Sequence, residues 1–512
     1  MSGALCGRRL GLAVTVGAVF FALALAWVVA VSTLGTLVLM ALVVLGAIYL
    51  ATPAGWIPCL SLVVVTLCAV LAPVNTTEGL FTLGPLSGFS LLALISILLT
   101  GLTIIKNGLV PLLHGRRITV LVVVFLLVFI VVSLASRPTE LLSYFGHWSI
   151  WGSAFILALY VPRRLVPVVI SAWIALAFFE AAYALYEHLF IPPPLYEGYL
   201  LEDYRSAIAP TSAGELTRAR ATFGHPIPLA SFLAAACALS LFAVRFPSAN
   251  LGVLRVVVVT VLAAGTVVTF ARSSFFAIVV ALCVGLLSPH ISNWTRFRVL
   301  LVLTMGALIF LSSPFGSIVL DYVLNTENTV SFSQRAASLL SVPAILGAGL
   351  RPALFGIGAG PQETLYEAFD LLSVEGLQVV DNQYITLLLE TGLLGLGIFL
   401  GLAWSALSFA WRIGRASPHK PDSRKAWGLG VALLTVLIAL FFYEGLGWPS
   451  TAILFWAMLG FLGRYEENFY PPFGYRNTQK KVQTKRSRAG APPLLRSSPV
   501  VGLRERETRA DG

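Results

Sequence analysis

The sequence predicts an all-α fold, a polytopic transmembrane helical bundle of about 12–14 spans with a long extracytoplasmic loop. Two observations carry that prediction. Of 512 residues, 58% are hydrophobic and only 11% are charged, where a soluble domain carries about 25% charged residues. Apolar runs near the roughly 20 residues that cross a bilayer recur along the chain, separated by short polar stretches. Only helices and closed barrels satisfy their backbone hydrogen bonds in lipid, and these runs are too long and too uniformly apolar for barrel strands.

In chain order the apolar runs are 10–31, 33–50, 57–73, 89–105, 118–136, 148–161, 165–190, 226–244, 253–271, 274–288, 298–314, 379–410, 427–443 and 449–464. Arg8 and Arg9 precede the first run. That run exceeds the roughly 7–15 residues of a signal-peptide core, and further runs follow at once, so it reads as a retained span. The 148–161 run is short. The 379–410 run is long enough to be tilted or partly outside lipid.

Charge sorts the connections. With the N-terminus inside, the cytoplasmic loops hold Lys106, Arg116 and Arg117; Arg163 and Arg164; Arg245 and Arg255; Arg296 and Arg298; and Arg412, Arg415, Lys420, Arg424 and Lys425. That layout follows the positive-inside rule. The chain then divides into a transmembrane domain, 1–464, and a basic cytoplasmic tail, 465–512. From Arg464 onward there are 11 Lys+Arg against 5 Asp+Glu in a Ser-, Pro- and Arg-rich stretch, which reads as disordered. Attraction to anionic lipid headgroups explains this charge more simply than nucleic acid does, because no nucleic-acid-binding module accompanies it.

Two long loops face outward, 191–225 and 315–378, and each keeps arginines against the charge bias. Arg205, Arg218 and Arg220 lie in the first; Arg335 and Arg351 lie in the second. Arg272 sits in the tight outer turn Ala271-Arg272-Ser273-Ser274. An arginine held outside needs a reason, and anion binding at the membrane face is one, since the planar guanidinium fork matches phosphate.

The 379–410 run opens on Asp381-Asn382-Gln383-Tyr384 and carries a carboxylate, Glu390. Asn382, Thr386 and Glu390 are spaced i, i+4, i+8 and form one polar stripe. An intramembrane ionisable residue is a functional candidate by default, but interhelical hydrogen bonding competes for Glu390. Helix N-capping competes for Asp381 and Asn382. Gly356-Ile357-Gly358-Ala359-Gly360 looks like a phosphate cradle only on the surface, because no strand precedes it and no P-loop lysine follows; a turn is the plainer reading. His225, in Phe223-Gly224-His225-Pro226, stands at the mouth of a span as a base or a phosphate hydrogen-bond donor, or in a structural role. His147 is weaker still.

Cys6, Cys59, Cys68, Cys237 and Cys283 form neither a CxxC metal motif nor a disulfide framework, and read as small packing residues. The outer loops hold no HxxxH, HExxH or DxD pattern and there is no GxSxG, so neither a metal nor another cofactor is expected.

These pieces occur in a definite order. Arg218-Ala-Arg220-Ala-Thr-Phe-Gly-His225-Pro enters one span and Thr269-Phe-Ala-Arg272-Ser-Ser starts the next but one. Ser333-Gln-Arg335-Ala lies in the long loop, followed by Leu354-Phe-Gly356-Ile-Gly358-Ala-Gly360 and by Asp381-Asn-Gln-Tyr384 through Glu390-Thr-Gly392-Leu-Leu-Gly395. Over roughly 210–410 the chain resembles the O-antigen ligase and polymerase family of bacterial membrane glycosyltransferases. The resemblance implies transfer of a glycan from undecaprenyl diphosphate to a sugar hydroxyl outside the cytoplasmic (inner) membrane. The acceptor is lipid A-core in ligases and a lipid-linked repeat unit in polymerases, with no nucleotide sugar and no metal. By the same resemblance Arg220, Arg272 and Arg335 form a diphosphate clamp. Asp381 and Asn382 stand where the ligases carry a His-Asn pair, a departure that leans toward a polymerase of O-antigen, capsule or exopolysaccharide type. His225, Tyr384 and Glu390 complete the expected substrate contacts, Tyr384 by stacking on a sugar ring.

Two other classes compete. A transporter or flippase of lipid-linked sugars predicts internal repeats and charges at mid-membrane; no repeat is visible and the charges cluster at one face. A non-catalytic envelope scaffold predicts no dependence on the outer arginines.

Overall fold

In the computed structural model every regular element among the described residues is a helix. Those residues are 52–70, 91–109, 117–137, 141–190, 218–244, 249–313, 336–340, 342–360, 380–416 and 421–469. The chain divides into a unit of Met1–Glu466 and a second of Glu467–Gly512; the fold and the site belong to the first. The expected spans 10–31 and 33–50 lie outside the described residues, as do positions 470–512 of the expected tail.

The helices run in the order α1 Ile57–Val70, α2 Leu91–Asn107, α3 Arg117–Ser136, α4 Leu141–Tyr160, α5 Val166–Phe190, α6 Pro226–Phe242, α7 Ala249–Val268, α8 Arg272–Leu286 and α9 Asn293–Leu311. Two short helices follow, α10 Val342–Gly347 and α11 Leu350–Phe355, and then α12 Gln383–Ala416, α13 Pro421–Ala439 and α14 Pro449–Phe469. Proline opens α6, α13 and α14, where its missing N–H costs nothing. By length and composition α3, α5 and α12 are each long and apolar enough to cross a membrane. The chain is a polytopic helical membrane protein, as its composition predicts. The expected 148–161 run is the second half of the 20-residue α4; the polar residues Ser143, His147 and Ser149 hid its first turns from a hydropathy reading.

Without water between helices, packing of side chains and small residues holds such a bundle together. An aromatic cluster joins α3, α4, α12 and α14: Phe125 touches Phe129, Phe399 and Trp456, and Trp151 stacks on Trp456 with centroids 5.7 Å apart. Elsewhere backbones approach through small residues. A Cβ at Gly460 would stand 2.5 Å from the Phe155 carbonyl oxygen, and one at Gly265 would stand 2.6 Å from the Ala181 Cβ.

The 379–410 run departs most from expectation. It is two helices, because Gly392 breaks α12 with φ 64° and ψ −168°. Tyr384 and Phe399, eight residues before and seven after the break, have ring centroids 6.1 Å apart. On one straight helix they would be about 22 Å apart at 1.5 Å per residue. Segment 383–391 therefore folds back beside 393–416 as a re-entrant half-helix.

The ends of the helices sort into two sets. At one end the Ile118 N–H donates to Glu466 Oε2 (3.2 Å), Arg163 to the Arg464 carbonyl (3.1 Å) and Arg424 to the Val244 carbonyl (3.5 Å). This basic end gathers connections that the charge rule groups together. The opposite ends of α3, α5, α6, α7, α8 and α14 form the other set, which holds the candidate site.

Candidate functional site

The site is built on two arginine-bearing turns docked against one another. Residues 218–225 lead into α6, and residues 269–271 join α7 to α8. The Ala219 N–H donates to the Val268 carbonyl (3.0 Å), and Arg218 Nε donates to the Thr269 carbonyl (2.9 Å). Both turns contain a non-glycine residue at positive φ, Ala221 at 47° and Phe270 at 49°. Such conformations persist where surrounding contacts over-determine them. Here the contacts bring Arg218 and Ala219 against the turn that opens into Arg272.

Two carboxylates of α5 supply those contacts. Glu187 Oε2 accepts from the Arg220 N–H (2.9 Å) and the Ala221 N–H (2.7 Å), and its Oε1 lies 3.6 Å from Arg220 Nε. Two turns back on the same face, Glu180 accepts from the Thr222 N–H (3.2 Å) and the Thr222 hydroxyl (2.8 Å). Glu180 is fully buried. Neither acid is among the residues singled out from the sequence. A signal existed, since two carboxylates at i and i+7 of an apolar span share one face.

His225 is the N-cap of α6. Its Nδ1 accepts from the Ile227 N–H (3.3 Å), and its ring packs on Trp448 with centroids 5.1 Å apart. Burial, helped by the Arg218 charge, pushes the imidazole down to about 3. A neutral ring whose Nδ1 accepts a hydrogen bond carries its proton on Nε2. That tautomer donates a hydrogen bond and is a poor base, so of the two roles read from the sequence the donor fits.

Around α12 the expected residues divide. The Asn382 side-chain oxygen accepts from the Tyr384 N–H (2.9 Å) and the Ile385 N–H (3.3 Å), which makes Asn382 the N-cap. Thr386 donates its hydroxyl to the Asn382 carbonyl (3.2 Å). The Tyr384 hydroxyl donates to the Leu437 carbonyl (2.7 Å), and its ring lies against Phe399 and Phe441. Gln383 ties this end to the turn after α13: its N–H donates to the Leu440 carbonyl (3.0 Å), and its side-chain oxygen accepts from the Leu446 N–H (2.7 Å). Asp381 stands just before the cap with its side chain part-exposed.

Glu390 is at the far end of the half-helix from Asp381, about 13 Å along the axis. Its side chain is buried, with Arg137 and Glu444 as charged neighbours. The glycine turn closes over this broken end. The Ile357 N–H donates to the Leu389 carbonyl and the Gly358 N–H to the Glu390 carbonyl, each at 2.9 Å. Carbonyls that the break leaves without intrahelical partners are thus satisfied. Gly356, at φ 72°, has no room for a side chain, since a Cβ would overlap the Glu390 carbonyl. The turn reading holds, and the glycines serve helix termination.

The tight Glu444–Trp448 turn links the two halves, with Glu444 in electrostatic reach of Glu390 and Trp448 packed on His225. Arg335 lies outside the described residues. Of the expected outer loops, 191–217 lies outside them, and within 315–378 only 336–340 and 342–360 are described. Among the described residues no three His, Cys, Asp or Glu side chains group as metal ligands.

No curated protein matches the chain. A family model described as O-antigen ligase matches residues 256–400, a segment that runs from α7 through Arg272 and the glycine turn to the half-helix. The match supports assignment of this chain to the O-antigen ligase/polymerase family that its sequence resembles.

Proposed function

We propose that the protein transfers a glycan from an undecaprenyl-diphosphate carrier to a sugar hydroxyl at the outer face of the cytoplasmic membrane. The observation that carries this reading is the docking of the 218–225 turn on the 268–271 turn, which concentrates Arg218, Arg220 and Arg272 at one end of the bundle. In the transfer the acceptor oxygen attacks the anomeric carbon as the bond to the carrier diphosphate breaks. The bonding electrons leave on the diphosphate and the hydroxyl proton leaves to a base. Preorganised donors aimed at developing charge are the largest lever for such a step. In this reading Arg220, Arg272 and Arg335 hold the diphosphate, and His225 donates to it through Nε2.

Asp381 is the proposed base or orienting acceptor, because it is a part-exposed carboxylate beside the capped helix start. Asn382 and Tyr384 act by holding that helix start. Glu390 sits apart from it and belongs with Arg137. The acceptor follows from the same reading: a lipid-linked repeat unit for an O-antigen or exopolysaccharide polymerase, or lipid A-core for a ligase. Aspartate in place of the ligase histidine leans toward the polymerase.

Deletion of the gene, followed by gel analysis of surface glycans and lipid-linked intermediates, tests this. Single repeat units with long chains missing establish a polymerase. Full-length chains stranded on the carrier establish a ligase. The half-helix at 383–391 is a device that transporters also use. Lipid-linked units accumulating on the inner leaflet would move that reading ahead.

A further inference from the structure

Arg137 ends α3 at the same end of the bundle as the arginine turns, approached from the other side. The last turn of α3 meets the glycine turn directly. The Ala359 N–H donates to Ser133 Oγ (3.1 Å), and a Cβ at Gly358 would stand 3.1 Å from Ser133 Cα. A Cβ at Gly360 would overlap Arg137 Nη1 and lie 3.2 Å from Cζ. The guanidinium is therefore seated against the bare backbone of Gly360. Nη1 is buried and has no hydrogen-bond partner among the described residues. Buried Glu390 is within electrostatic reach of Arg137 and of Glu444.

A buried guanidinium N–H without an acceptor costs free energy, and fixed in place it is a preformed donor for an anion. Arginine's fork suits phosphate oxygens better than any other side chain does. The Glu444–Trp448 turn reaches His225, and through it the arginine turns, by the Trp448 ring.

We infer that Arg137 forms a second anion subsite, which binds a phosphate group borne by an isoprenoid or glycolipid. Its role in transfer rests on the proposed function; the binding itself does not. The phosphate comes from the donor's carrier or from a phosphorylated acceptor, and kinetics separate the two.

The test uses the purified full-length chain in nanodiscs, with farnesyl diphosphate as the probe and farnesol as its uncharged control. Arg137→Gln should weaken farnesyl diphosphate binding about tenfold or more, leaving farnesol binding and thermal stability unchanged. Wild-type affinity in a folded Arg137→Gln variant overturns the inference, as does an equal loss for both probes. Should Arg137→Gln not fold, Arg137→Lys is read instead: it keeps the charge without the fork and should bind several-fold more weakly, and equal affinity overturns the inference. In a transfer assay Arg137→Lys should raise the KM for the donor if the carrier diphosphate sits there, or for the acceptor if the acceptor phosphate does. Neither KM rising also overturns it. If the wild type transfers nothing, the proposed function fails while the farnesyl diphosphate measurement still decides Arg137.

Discussion

Tyr384 and Phe399 stand fifteen residues apart in sequence, yet their rings meet nearly edge to face with centroids 6.1 Å apart. The contact exists because Gly392 reverses the chain between them. It turns an apparently continuous span into a half-helix with Asn382 capping one end and the Gly356–Gly358 turn closing the other. Asn382 and Glu390, the two ends of one polar stripe in the sequence, lie at opposite ends of that short element.

Gly392→Ala should disrupt this fold-back. The position has φ 64°, and a Cβ would overlap the Leu354 carbonyl. Left-handed backbone costs a non-glycine residue about 1–3 kcal/mol, and a clash with backbone adds to it. Gly397 has open space around its Cα, so Gly397→Ala is the control. Thermal melts of the purified proteins should show a large loss at 392 and almost none at 397.

Glu187 should matter through Arg220. Glu187→Ala removes the acceptor of two backbone N–H groups and the ion-pair partner of Arg220. Removing one partner of such a part-buried, charge-assisted set costs about 1–3 kcal/mol. Glu187→Gln retains an acceptor oxygen and should cost less, while still loosening the arginine. Thr222→Val leaves Glu180 without its hydroxyl partner and should cost about 1–3 kcal/mol. Equal stability of all three variants and the wild type would remove the carboxylate cradle from the account.

His225 predicts a pH signature. Its imidazole is held at about 3 against an ordinary 6.5, so between those values the unfolded chain binds a proton that the folded chain does not. Stability is then complete above pH 6.5 and falls as pH drops toward 3, by at most about 1.4 kcal/mol per pH unit. Asparagine also caps helices well, so His225→Asn should keep the helix start and flatten the profile. Melting temperatures at pH 7, 6, 5 and 4 check this, and parallel profiles for the two proteins would refute it.

Asp381 and Asn382 should separate cleanly. Asn382→Ala removes a cap and should cost about 1 kcal/mol of stability, whereas Asn382→Ser should restore most of it. Asp381→Asn should leave stability near wild type and reduce turnover at least about a hundredfold if Asp381 is the base. Full turnover by Asp381→Asn would leave it no part in proton transfer.

Much of the fold was legible because lipid imposes a simple rule. Apolar run length located α3, α5, α6 and α8 within a few residues. The break at Gly392 was not legible, because hydropathy does not register one residue's φ, and a glycine within an apolar run reads more readily as a site of close helix packing. Of the candidate site, Arg220, Arg272 and His225 were singled out because charge at a span's mouth stands out in an apolar chain. Glu180 and Glu187 were missed because their partners are mostly backbone N–H groups, which no residue pattern advertises. Arg137 was missed because a single arginine closing a span looks like a boundary, and its seat at Gly360 depends on a contact more than 200 positions away in the sequence.

The central claim is that the docked arginine turns bind a carrier diphosphate and so enable transfer. The most direct test is transfer of a lipid-linked glycan by purified wild type, Arg220→Ala and Arg272→Ala at matched folded amounts. Losing one preorganised donor to a developing charge typically costs about 10²–10³ in rate. The account predicts losses of that order for each variant, with lysine substitutions recovering part. Wild-type rates in both alanine variants would contradict it.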